Sequence, residues 1–335
     1  MKGIRIPREK TEQIRKELIK EGSLARKYRA KVQGSEIIIP LLKNTKLHYP
    51  QEEHEFEEKK EFTMQLKQVF TKDEQKHLKT AFDVIGNICI LEIDEILLHK
   101  EKELANLIML HHKNITTVLK KAAAHGGVYR TQQMSYIAGE NTRVTLHKEN
   151  GITLRLNVEE VYFSPRLSTE RKRILNQVQD HEKMLCLFSG CGPYPILFAK
   201  YKDVQITSIE INPIGVQYQQ ENIQLNKIKP FTILQGDVKE ILPRIKETYD
   251  RICMPLPKDA ENFLEDVLPK TKKGSIIHMY DFVHEEQLIN RQQEILDTLK
   301  KKGYYATSKI TKTTQYAPRA YRICHDITIQ DIKQA

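Results

Sequence analysis

Leu187 to Pro195 reads LFSGCGPYP, and Ser208 to Gly215 reads SIEINPIG. In the first, the short apolar strand Leu185 to Leu187 meets Ser189-Gly190-Cys191-Gly192, a turn that leads into a helix. Glycine is needed in such a turn because a side chain would collide with a ligand lying against the backbone. In the second, a strand ends in Glu210, about 20 residues on, the interval at which a carboxylate accepts hydrogen bonds from ribose hydroxyls. A third stretch, GDVKEI (Gly236 to Ile241), sets Asp237 at another strand end, suited to an adenine amino group. Together the three fit an adenosyl cofactor laid across the carboxyl ends of parallel strands. A dinucleotide fits less well, since G-x-G-x-x-G is missing its last glycine and position 195 is proline.

Outward from this stretch, strand and helix signals alternate. MLCLFSG, QITSIEI, FTILQG, RICMPLP and SIIHMYDF read as strands with helices between them, which predicts a parallel, doubly wound sheet. YYATSKITKTTQ and RAYRICHDITI add an antiparallel edge. The expected organisation is a small basic domain over 1–45, a charged linker over 46–62, a middle α/β domain over 63–160 and a Rossmann-like class I catalytic domain over 161–335. In the middle domain, AFDVIGNICILEI predicts a strand pair or a bulged strand with Gly86 at the break, KELANLIMLHHK a helix, GGVYRTQQMSYIAGE a strand, and VTLHKENGITLRLNV a hairpin turning at ENG.

Bulk properties narrow the partners. The 335 residues carry a formal charge of +10, with 39% hydrophobic and 29% charged residues, ordinary for a globular protein. The charge is concentrated: residues 1–31 hold eleven Lys/Arg against four Glu, and Lys300 to Arg322 holds seven Lys/Arg and no acid. Such patches are the footprint of a polyanion-binding surface, with a solvated lysine-rich face as the plain alternative. No apolar run approaches bilayer length, and the first residues, MKGIRIPREK, have no signal-peptide core. Five cysteines without C-x-x-C spacing argue against a disulfide framework or zinc site and for a reducing cytoplasm. His111, His112 and His278 have no metal-ligand spacing and read as structural, so no metal is expected.

Longer motifs carry a resemblance. FDVIGNI (Phe82 to Ile88), GGVYR (Gly126 to Arg130), AGENTRVTLHKENG (Ala138 to Gly151), YFSPRLSTER (Tyr162 to Arg171) and YAPR (Tyr316 to Arg319) are similar to those of the archaeal and eukaryotic tRNA guanine-37 N1-methyltransferases. HMYDFVHEEQ (His278 to Gln287) and Pro255 look most like the archaeal branch that also acts in wyosine synthesis. The resemblance implies S-adenosyl-L-methionine as cofactor, with Ser189, Gly190, Gly192, Glu210, Ile211 and Asp237 lining its site and Tyr162 and Arg166 closing it from the middle-domain side. It implies a monomer acting on tRNA, tRNA-Phe among them, through the anticodon loop and the tRNA body. Two departures stand out: Cys186 where the family often has an acid, and Pro255 where the mono-functional branch has asparagine.

The chemistry implied is N1 methylation of guanosine at position 37, with C7 methylation of the 4-demethylwyosine intermediate as a second reaction. Guanine N1 is unreactive until its proton is removed. By the resemblance Glu170 is the general base, Arg130 the cation that meets charge developing on O6, and Arg171 the residue that orients Glu170 or holds a phosphate. Proline at 255 offers a base edge only its carbonyl and a ring face, so it removes a polar clamp and admits a flatter base. Tyr194, Tyr316 and Tyr321 are candidates to stack on a base swung out of its loop. Two other readings stay open: an aminocarboxypropyl transferase of the same pathway, and a tRNA-binding module without turnover.

Overall fold

The computed structural model describes residues 1–335 apart from 57–61, 80, 125, 257–259 and 334–335. The chain forms two compact units, Met1–Lys76 and His77–Ala335.

In the first unit, alternating apolar residues make β1 (Lys2–Pro7), whose Ile4 and Ile6 point inward. Helix α1 (Thr11–Lys20) presents Ile14 and Leu18, four apart on one face, to the same core. With β2 (Lys31–Gln33), β3 (Glu36–Pro40) and β4 (Gln51–Glu53), the strands form a sheet in the order β2-β3-β1-β4. Strand β4 falls inside the segment expected to be a linker. It pairs antiparallel with β1, Lys2 opposite Glu53, while Leu47 and Tyr49 pack on the core, so only the residues beyond it connect onward. Helix α2 (Phe62–Val69) completes this unit.

The second unit begins with the hairpin β5 (Asp83–Ile85) and β6 (Ile88–Leu91), turning at Gly86 as the sequence predicts. Helix α3 (Glu101–His111) crosses to β7 (Thr117–Lys121), which runs parallel to β6, and β8 (Met134–Gly139) closes a four-stranded sheet. GGVYR is not part of that strand. Gly127 and Arg130 both have left-handed backbones (φ 69° and 52°), and the segment is a turn pinned by the Gly126–Thr131 bridge. Strands β9 (Val144–Glu149) and β10 (Ile152–Asn157) form the expected hairpin around Asn150-Gly151.

Helix α4 (Ser168–Leu175) then leads into the alternating region: β11 (Lys183–Leu187), α5 (Pro193–Tyr201), β12 (Gln205–Glu210), α6 (Pro213–Leu225), β13 (Thr232–Gln235), α7 (Val238–Ile241) and β14 (Tyr249–Met254). After α8 (Leu264–Val267) come β15 (Thr271–His284), α9 (Leu288–Lys301), β16 (Tyr304–Ala317) and β17 (Ala320–Ile332). The seven strands lie in the order β13-β12-β11-β14-β15-β17-β16. β11 to β15 are parallel, and β17 pairs antiparallel with both β15 and β16. The order reverses between β11 and β14, and in open sheets of this kind ligands bind outside the carboxyl ends at that point. Two apolar layers hold the sheet. One includes Leu185, Ile252, Ile277 and Ile327 and the other Met184, Phe198, Cys253 and Tyr280, each buried side chain contributing about 1.5–3 kcal/mol.

His325 of β17 is fully buried, and among the described residues neither ring nitrogen has a hydrogen-bond partner. Burial pushes its pKa down to about 4, against about 6.5 in an unfolded chain. Below pH 6.5 the unfolded chain takes up a proton that the folded one refuses. Stability is therefore whole above pH 6.5 and is lost as the pH falls toward 4, at about 1.4 kcal/mol per unit for one such group. Urea denaturation at pH 7 and pH 5 is expected to show this loss, and His325→Leu to make it shallower by about that slope.

Candidate active site

The turn after β11 is built by its own hydrogen bonds. Phe188 and Gly190 take left-handed backbones (φ 51° and 54°), and Gly192 (φ 86°) caps α5 with Pro193 at the first helical position. Gln219, wholly buried on α6, donates from Nε2 to Ser189 Oγ (2.9 Å) and to the Gly190 carbonyl (3.0 Å). Its Oε1 accepts from Ser208 Oγ at 2.7 Å. From the end of β12, the Glu210 carboxylate accepts the backbone N–H groups of Gly190 (2.6 Å) and Asn212 (2.8 Å). Burial raises its pKa, and these N–H groups oppose the rise. Gly215 was overlooked as a functional position: a Cβ there would lie 3.0 Å from the Gly190 carbonyl oxygen and 3.1 Å from Glu210 Cγ. Glycine following the acid in SIEINPIG was the available signal.

Ser189, Gly190, Glu210 and Ile211 face a cleft of about 680 Å³, walled on its other sides by Tyr162, Arg130 and Pro255. A second hollow of about 890 Å³ shares Arg130, Phe188, Ile211 and Leu256 with it and extends to Asp237 and Phe263. Phe188 and Phe263 meet edge to face (4.8 Å) in this second hollow. Asp237 also caps α7, accepting the Lys239 N–H at 2.8 Å. The donor set fits an adenosyl nucleoside: a carboxylate in each of two adjoining hollows, aromatic walls, and a turn whose Gly190 has the carbonyl of Tyr162 only 3.2 Å from where a Cβ would sit. Arg130 is held in a left-handed conformation, a strain that persists only where surrounding structure imposes it.

Other sequence candidates lie elsewhere. Gly192 does not line the cleft; a Cβ there would strike Gln219 Cγ at 2.8 Å, so its glycine serves packing. Arg166, half exposed, does not line it either and donates to Asp83 at 2.7 and 3.2 Å, tying the turn before α4 to β5. Arg171 does not orient Glu170. It is buried and donates from Nε and Nη2 to Glu149 (2.5 and 2.6 Å), with the Ser164 carbonyl a third acceptor. Burial alone would raise the Glu149 pKa, but His147 and Arg171 hold it below the usual carboxylate value.

Glu170 is held instead by Arg173, three residues on, at 2.7 and 2.8 Å, and by the Tyr280 hydroxyl at 2.8 Å. Its carboxylate is 95% buried and behind the cleft wall rather than in it. Tyr194 lines the cleft but is buried, with its hydroxyl on that of Tyr280 (2.8 Å), so it offers no face for stacking. Tyr316 is 54% exposed and packs edge-on against Phe282, while Tyr321 lies under Lys312. Arg322, the last residue of the basic run, is buried rather than on its surface and donates from Nη2 to the Pro255 carbonyl (3.2 Å). His278, Cys324 and Asp326 bring potential ligand atoms within 4.8 Å of one another. Arg173 already occupies Asp326, and Arg251 donates to His278 Nε2, whose Nδ1–H bonds Asp326.

A parallel sheet in this order, with the glycine turn after β11 bound to the acid that ends the adjacent β12, defines a class I S-adenosylmethionine-dependent methyltransferase. The chain belongs to the TRM5/TYW2 methyltransferase family. Residues 145–307 match the TRM5/TYW2 methyltransferase domain, 63–142 the TYW2 N-terminal domain and 3–46 the tRNA methyltransferase 5 N-terminal domain. It is 36% identical over 331 residues to the tRNA (guanine(37)-N(1))-methyltransferase Trm5b of Pyrococcus abyssi, covering 98% of each chain. It is 34% identical over 271 residues to the tRNA (guanine(37)-N(1))/4-demethylwyosine(37)-methyltransferase Taw22 of Nanoarchaeum equitans, covering 65% of this chain and 89% of the relative. The crystal structure of P. abyssi Trm5b superposes with a TM-score of 0.75 (35% identity, 99% of this chain and all of that one). A complex of aTrm5 with tRNALeu does so at 0.71 (27% identity, 98% and 99%).

The two arginine pairs separate burial from exposure. Arg171→Met leaves the buried Glu149 carboxylate with His147 beside it but without its guanidinium, and is expected to cost about 3 kcal/mol in chemical denaturation. Arg166→Met breaks a half-exposed pair and is expected to cost less than about 1 kcal/mol.

Proposed function

We propose that this protein transfers a methyl group from S-adenosylmethionine to N1 of the guanosine at position 37 of tRNA. The observation that carries the reading is a pair of adjoining hollows, one lined by Glu210, Tyr162 and Pro255, the other by Asp237, with Arg130 shared by both. The chemistry supplied by bound S-adenosylmethionine is a methyl group on a positively charged sulfur. Glu210 would accept the ribose hydroxyls with the lone pairs left over from Gly190 and Asn212, and Asp237 the adenine amino group. Arg130 would meet the negative charge that moves onto O6 as N1 loses its proton, an interaction stronger in the transition state than in the ground state. Glu170, held by Arg173 and Tyr280, would take up that proton.

Relatives bearing the names above act on guanosine 37 of tRNA, one of them also on 4-demethylwyosine, and a related structure holds tRNALeu. The clustered positive charge of residues 1–31 and Lys300 to Arg322 suits such a polyanion. A second methylation, on C7 of 4-demethylwyosine, is favoured by Pro255: its carbonyl is engaged by Arg322, leaving the ring as what it can offer a tricyclic base. The finer reading is a monomer without metal that acts on tRNA-Phe among its substrates. No helix among the described residues is long and apolar enough to cross a membrane.

The test is transfer of labelled methyl to tRNA transcripts varied at position 37, and to tRNA carrying 4-demethylwyosine, followed by nucleoside mass analysis. Label is expected in 1-methylguanosine and in the 7-methylated tricycle. No label, or a mass increase of an aminocarboxypropyl group, would refute the reading. Arg130→Ala is expected to lower kcat/KM by about 10²–10³-fold. Glu210→Gln turns an amide donor toward N–H groups that need an acceptor, and calorimetry is expected to show S-adenosylhomocysteine bound at least about tenfold more weakly.

A further inference from the structure

Glu170 has a difficulty as the base. Both its oxygens are bonded, Arg173 reaching each of them and Tyr280 reaching Oε1, and its carboxylate does not line the cleft. Between it and the cleft stand two tyrosines. Tyr194, from α5, lines the cleft, and its hydroxyl lies 2.8 Å from that of Tyr280 on β15, which lies 2.8 Å from Glu170 Oε1. All three side chains are at least 95% buried.

The direction of these bonds is fixed by chemistry. A carboxylate clasped by a guanidinium offers only acceptors, so the Tyr280 hydroxyl donates to Glu170. Having spent its hydrogen, Tyr280 accepts from Tyr194. Tyr194 has then spent its own hydrogen and keeps lone pairs on its oxygen, and it is the member of the row whose residue lines the cleft. We infer that Tyr194, Tyr280 and Glu170 form a proton wire that carries the hydrogen leaving the nucleobase out of the cleft. This rests on the methyl-transfer reading.

The step balances. As the bond from the ring nitrogen to the methyl carbon forms, the carbon–sulfur bond breaks and its electron pair stays on sulfur. The ring N–H bond breaks, and its proton goes to Tyr194 Oη. The proton of Tyr194 moves to Tyr280 Oη, and that of Tyr280 to Glu170 Oε1. The base gains a methyl cation and loses a proton, so its charge is unchanged, while the donor's positive charge and Glu170's negative charge both disappear. Burial holds both phenols above their ordinary range, so each passes a proton on by accepting one first and neither rests as a phenolate. The groups facing Glu170 are Arg173 on its own helix, Tyr280 from β15 and, through Arg173, Asp326 from β17. The Arg322 guanidinium sits 5.2 Å over the Tyr280 ring.

Tyr194→Phe and Tyr280→Phe each remove one oxygen and keep the ring. In single-turnover assays with cofactor prebound, each is expected to slow methyl transfer by at least about tenfold, as loss of a general-base path does. KM for tRNA and affinity for S-adenosylhomocysteine are expected to stay within about twofold of wild type. The wild-type rate in mixed H2O and D2O is expected to bow, as several protons moving together require, and to straighten in the variants. Wild-type rates in both variants, a linear wild-type dependence, or a rate loss matched by equal loss of cofactor affinity would each overturn the wire while methyl transfer by the wild type stands. Absence of methyl transfer by the wild type would instead refute the functional reading and the wire with it.

Discussion

The Glu210 carboxylate joins the carboxyl ends of two neighbouring parallel strands, β12 and β11. By accepting the Gly190 and Asn212 N–H groups it closes the turn after β11 against the start of α6, and Gln219 fastens the same turn from behind. Neither N–H has a partner within its own helix or strand, so a buried acid satisfies donors that would otherwise cost about 1–3 kcal/mol each. The cleft exists because this corner does not collapse. Its glycines are fitted to the acid and to Gln219 at least as much as to any ligand.

A row of buried and part-buried polar groups ties together four elements. Glu182 pairs with Arg251, Arg251 donates to His278, His278 donates to Asp326, Asp326 pairs with Arg173, and Arg173 pairs with Glu170. His278 accepts at one nitrogen and donates at the other, which fixes its neutral tautomer, and burial lowers its pKa accordingly. Each ion would be expensive alone; paired in series they define one arrangement of α4 against β14, β15 and β17. The position of Glu170 is thereby set by the sheet more than by its own short helix.

Much of this was legible in the sequence. The alternation from Met184 onward gave the parallel sheet because strands buried on both faces must be apolar throughout. Asn150-Gly151 gave a hairpin because it meets the left-handed geometry of the turn. What escaped were pairings between distant residues. Arg171 adjoins Glu170 in the chain, yet neighbours on a helix point about 100° apart, and Arg173 at three positions on is the one that reaches it. Glu149 as the partner of Arg171, Arg322 as the partner of Pro255, and β4 as a partner of β1 all depend on how separate elements dock. GGVYR looked like a strand because Val128 and Tyr129 favour one, but the backbone of Gly127 and Arg130 decides otherwise.

Strand β17 lies between β15 and β16 and carries Asp326, 153 residues beyond the arginine that it anchors. A ribosome adding about 5–20 residues per second needs roughly 8–30 seconds to cover that distance. By the end of that interval the emerging polypeptide contains the glycine turn, Glu210 and Glu170, but Arg173 still lacks its second carboxylate and the sheet ends in an open edge at β15. An unfinished edge of this kind invites pairing with other chains. The nascent protein is thus most exposed to misassembly after its cofactor-binding motifs have been made and before its proton-handling residues are locked in place.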